Sequence, residues 1–170
     1  TVHVIAARTV MNAHTLVMQR ATEGPTLIPE EAAELANAAD TEVARLAAEV
    51  AAESPIAQEL TTTACRDPLD SPFASEGSLC HASPTLCLQC KNAVVFADHL
   101  PRLVAYRAIL RGHQRSMQPV AFAEVYGQQQ TNVDAILDRF PESKVREAEA
   151  SVDSSHTRLH TPLGHRADLS

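Results

Sequence analysis

All four cysteines of the chain fall within 26 consecutive residues, as Cys65-x14-Cys80-x6-Cys87-x2-Cys90. Sulfur at this density has three chemistries open to it. A structural zinc ion takes four thiolates tetrahedrally, and a Cys-x2-Cys pair supplies two of them from one tight turn. Cys65 and Cys80 then complete the set. The alternative cofactor is an iron–sulfur cluster, which accepts the same four ligands and which spacing alone does not separate from zinc. The third is disulfides or unliganded thiols; disulfides belong to an oxidising compartment, and no basic-then-apolar export pattern is legible. Zinc on Cys65, Cys80, Cys87 and Cys90 is the expectation carried forward. His81 follows Cys80 directly and is a substitute ligand in that scheme.

The other reactive side chains form no set. His3, His14, His99 and His113 are scattered, without His-x3-His or His-Glu-x2-His spacing. His156, His160 and His165 fall in a polar C-terminal stretch. The five glycines are far apart and make no phosphate loop, and no serine sits in a Gly-x-Ser-x-Gly setting. No catalytic residue is assigned. Arg107, Arg111 and Arg115 recur at four-residue steps and share one helix face. They are the candidate contacts to DNA phosphates, although no aromatic residues interleave with them and a solvated face has the same pattern.

Positioning these residues falls to helices. Hydrophobic residues make up 45% of the chain but aromatics only 4%, and alternating strand-like runs are missing, which argues against a sheet protein. Val2–Ala21 reads as one helix on a seam of Ala6, Val10, Ala13, Val17 and Ala21, ended by Gly24-Pro25. A second opens at Pro29-Glu30-Glu31 and runs to about Glu53, with Leu35, Ala39, Val43, Leu46 and Val50 inward. Its charge is lopsided: Glu23–Glu53 holds eight acids and one base, Arg45, and accounts for the formal net charge of −7. Asp98 is expected to cap a third helix, with Pro101 in its first turn and Leu103, Tyr106, Leu110 and Met117 buried. Pro119 starts a fourth, with Phe122, Tyr126, Gln129, Val133, Ile136, Leu137 and Phe140 as seam and Pro141 beyond its end. Tyr106 and Tyr126 both fall on these seams and are expected in the core.

The expected fold is therefore mainly α: about four helices in two helical hairpins, joined by a Cys-rich, zinc-bound loop, with a disordered C-terminal tail. The boundaries are 1–60 for the first hairpin, 61–97 for the loop, 98–141 for the second hairpin and 142–170 for the tail. No apolar run reaches the length of a membrane span, so no membrane partner is expected. Starting at Thr1 and not at Met, the sequence reads as a processed product or a piece of a longer protein.

The blocks Cys65-Arg-Asp-Pro-Leu-Asp-Ser-Pro-Phe73, Cys80, Cys87-Leu-Gln-Cys-Lys-Asn-Ala-Val-Val95 and Asp98-His-Leu-Pro-Arg-Leu103 resemble the C-terminal extension of actinobacterial integrase-like proteins of the tyrosine-recombinase type. The likeness covers roughly Thr1 to Phe140. It implies a cytoplasmic parent that binds DNA and exchanges strands through a tyrosine nucleophile. That family's Arg-x-x-His block followed by a Tyr has no counterpart here, so the resemblance places the catalytic tyrosine upstream of Thr1 and leaves this piece without catalysis. The function it implies is a non-catalytic, zinc-stabilised accessory domain for assembly or DNA contact, with DNA reached through the parent recombinase. The alternative is a helical protein–protein or self-association module unrelated to DNA.

Overall fold

The computed structural model describes residues 24–36, 41–51 and 62–155 of the chain. The helix expected over Val2–Ala21, with His3 and His14, and the later histidines His156, His160 and His165 lie outside the described residues. In chain order the elements are β1 (Thr26–Leu27), α1 (Ala32–Leu35), α2 (Thr41–Ala51), β2 (Ala64–Cys65), α3 (Pro84–Cys87), β3 (Ala93–Val95), a 3-10 turn (Ala97–His99), α4 (Leu100–Ser116), α5 (Pro119–Leu137) and α6 (Glu142–Ser155). The chain is mainly helical.

The second half follows the sequence closely. Proline serves in the first turn of both α4 and α5, where its missing N–H leaves no bond unmade. α4 packs against both α5 and α6. Leu100, Leu103, Tyr106 and Leu110 from α4 meet Phe122, Tyr126, Val133, Ile136 and Leu137 from α5, with Phe140 just beyond. Each large apolar side chain removed from water here contributes about 1.5–3 kcal/mol before entropy is counted.

Four expectations need correction. The segment from residue 142 was expected as tail, but Glu142–Ser155 is a helix. Its inner side is sparse, Val145, Ala148 and Val152, yet all three pack on the main core and Ala148 is buried. The helix expected from Pro29 to about Glu53 is instead α1 and α2, two helices packed against each other. Asp98 does not cap α4, which has no side-chain cap. Its carboxylate accepts the Ala32 N–H at 2.6 Å and so caps α1, 66 residues away in sequence. Lastly, the 61–97 segment carries regular structure, and with it a small sheet.

That sheet has the order β1-β3-β2, β1 parallel and β2 antiparallel to β3. β3 is buried on both faces. Val95, and Ala97 beyond it, face the α4–α6 core, while Val94 and Phe96 join a second, smaller core with Ala32, Leu46 and Ala47. The strand's two-residue period thus divides the described residues into two layers. Its partners obey the same division: Leu27 opposite Val95 packs on the large core, and Ala64 opposite Val94 packs on the small one.

Candidate metal centre

Cys65 ends β2 opposite Ala93 of β3, so it lies on the sheet face away from Ala64 and Val94. The chain then turns sharply. Asp67 Oδ1 accepts the N–H groups of Leu69 and Asp70 at 2.8 and 3.3 Å, an Asx turn. A second turn, closed by Ser78 N–H to the Ser75 carbonyl, has Gly77 at φ +71°, a conformation that favours glycine. Cys80 is returned to the site because its N–H donates to the Pro68 carbonyl at 2.9 Å. The last two sulfurs come from consecutive turns. α3 ends on Cys87, Cys90 N–H donates to the Cys87 carbonyl, and Ala93 N–H donates to the Cys90 carbonyl, each at 3.1 Å.

Asn92 stitches these pieces together. It is buried, its Nδ2 donates to the carbonyls of Asp67 and Asp70, and its own carbonyl receives the Arg66 N–H at 2.8 Å. Lys91 adds an ion pair with Asp70 at 2.8 Å. Asn92 escaped the sequence reading as a positioning residue, though it sits inside the Cys-Lys-Asn-Ala block. Thr63 escaped it too: this buried residue hydrogen-bonds the Cys87 thiol through its side chain.

None of the four cysteines is in a disulfide; Cys90 is buried, Cys80 and Cys87 are half-buried and Cys65 is exposed. Every one of the six thiol pairs lies within electrostatic reach, Cys65 with Cys80 and Cys90, Cys87 with all three others, and Cys80 with Cys90. Among the described residues, however, no three Cys, His, Asp or Glu side chains already stand at ion-binding distance of one point. Electrostatic reach is longer than the ~2.3 Å Zn–S bond, so the sulfurs would have to draw inward on an ion.

The electrostatics are those of a site short of positive charge. Burial, then Cys90, Cys65 and Cys80, push the Cys87 thiol up to about 11, with Thr63 pulling the other way. Cys65, exposed as a residue but with its sulfur partly desolvated, is raised by that desolvation first and by Cys90 next. Burial also raises Cys90, with Cys80 adding to it. Against this trend, backbone donors address the sulfurs: Asp67 N–H at Cys65, Asn92 and Ala93 N–H at Cys90. Such bonds favour the thiolate. A divalent cation would reverse the remaining penalty, because it interacts with the thiolate and not with the thiol.

The other candidates are placed apart from this centre. His81 is exposed. His99 is buried near the start of α4, where its Nδ1 accepts the Phe96 N–H at 2.9 Å. Arg107 ion-pairs with Glu149 of α6 at 2.6 Å, whereas Arg111 and Arg115 are exposed. Tyr106 and Tyr126 are both buried in the core. The Tyr106 hydroxyl donates to Gln129 Oε1, and Tyr126 stacks on His113 at 4.9 Å between ring centroids and 4° between planes. Among the described residues no helix is long and apolar enough to cross a membrane. Comparison with protein-family models, curated proteins and solved structures finds no match to this chain.

Proposed function

We propose that the chain is a non-catalytic accessory module of a DNA recombinase-like protein, with one zinc ion on Cys65, Cys80, Cys87 and Cys90 holding its irregular segment in shape. The supporting observation is the gathering of four thiols from β2, the following loop and two consecutive turns, with backbone donors directed at two of them. Four thiolates complete a tetrahedral shell and leave no open position, which is the structural class of zinc site. An iron–sulfur cluster would use the same sulfurs and would colour the protein, as zinc does not. The recombinase context rests on the resemblance of the cysteine blocks.

Within this reading, DNA contact falls to Arg111 and Arg115, since the Arg107 guanidinium is engaged with Glu149. Retardation of duplex DNA in a mobility-shift assay is expected at low salt and is expected to fade steeply as salt rises. The double variant Arg111→Glu/Arg115→Glu should abolish it. Unchanged retardation by that variant would remove these arginines from the interface. No retardation even at low salt would favour the second reading, a protein–protein or self-association module, for which Val120 and Val125 of α5 offer exposed apolar surface at 71% and 54%.

A further inference from the structure

We propose that the cysteine centre latches helix α2, so that removing its metal frees Thr41–Ala51 while the α4–α6 core stays folded. The inference rests on the four-thiolate reading and adds a conformational consequence to it.

The latch is Arg66, the residue after Cys65. Its Nε stands 3.4 Å from Glu42 Oε1 on α2, and its Nη2 donates to Thr26 Oγ1 on β1 at 3.0 Å. Its carbonyl accepts Arg45 of α2 at 3.4 Å, and its N–H donates to the Asn92 carbonyl. One residue beside a thiol therefore grips α2 at two places and β1 at a third. These contacts depend on position, because Arg66 Nε is buried and makes no hydrogen bond of its own; its hold on Glu42 is Coulombic. Cys65 Sγ and Asp67 N–H bracket the same residue.

What else holds α2 is its packing on α1 and a small shared core. Its Leu46 and Ala47 are buried against Val94 and Phe96 in the smaller core, with Val43, Val50 and Ala51 only partly covered. Among the described residues the larger core has fifteen buried residues against five and draws none of them from α2. The two clusters touch opposite faces of β3, so the smaller can open with the larger intact. Release would uncover Val94 and Phe96 together with the amphipathic helix α2.

Hydrogen exchange read by mass spectrometry on the full chain tests this. Zinc-loaded protein is compared with protein stripped by a strong chelator under reducing conditions. Exchange over Thr41–Ala51 should accelerate at least about tenfold, while Leu103–Leu110 and Val133–Leu137 change by less than about twofold. Zinc-loaded Arg66→Ala, which keeps the backbone bonds to Arg45 and Asn92, should show a smaller acceleration in the same helix with one zinc per chain retained. Should that variant not fold, Glu42→Gln serves instead, with a smaller acceleration in the same helix. Zinc that binds and can be stripped without any response over Thr41–Ala51, or with equal loosening of every helix, overturns the latch alone. Protein that takes up no zinc overturns both the latch and the metal reading beneath it.

Discussion

His99 shows how much a single buried side chain can decide. The ring is 2% exposed, and burial, followed by the Arg102 guanidinium, lowers its pKa to about 4 against the pull of Asp98. The Phe96 N–H donates into Nδ1, an acceptor only while that nitrogen is unprotonated. The unfolded chain protonates this histidine near its ordinary value of about 6.5. Above that value both states are neutral and the contribution to stability is complete. As pH falls from about 6.5 to about 4 the unfolded state binds the extra proton, and up to about 3 kcal/mol is lost. Urea denaturation between pH 7.5 and 4.5 should record this loss, and His99→Gln should flatten that part of the profile. Equal slopes in the two proteins would contradict it. Tyr106 and Tyr126 make the same point about sequence: their seam positions identified both as core residues, but nothing in spacing announced that Gln129 would receive the Tyr106 hydroxyl.

Among the elements, the helices with strong punctuation were the legible ones. Pro101 and Pro119 mark first turns, and the apolar periods of α4 and α5 are long enough to register. Strands of two or three residues cannot display a period, so the small sheet was invisible except for the apolar run Ala93-Val94-Val95. α6 was missed because its buried side is Val145, Ala148 and Val152 among charges. The missed break between α1 and α2 did leave a trace, since Asp40-Thr41 resembles a helix start. Asp98 was mistaken for a local cap because sequence reasoning assigns caps to neighbours, whereas this carboxylate reaches α1 through tertiary structure. Asp98→Ala should therefore cost about 1 kcal/mol and accelerate amide exchange at Ala32–Leu35. Acceleration confined to the first turn of α4 would restore the local cap and refute the distant one.

The described residues form two unequal cores sharing one strand, with the thiols gathered where β2 and the turns before β3 meet. The cysteine spacing suggested the site, but the fold explains why an irregular segment of this length keeps a shape: Asn92, Asp67 and Lys91 tie its ends to each other and to the sheet. Those bonds are few and partly exposed, and the sulfurs repel one another as they ionise. A bound cation would settle that repulsion and would supply folding free energy to the segment. The metal content of freshly purified, reduced protein, measured by mass spectrometry alongside the Cys87→Ser and Cys90→Ser variants, is decisive. One zinc per chain in the parent, and its loss in both variants, is the predicted result. A metal-free parent, or variants that keep a full equivalent of zinc, would show that the four sulfurs share no ion.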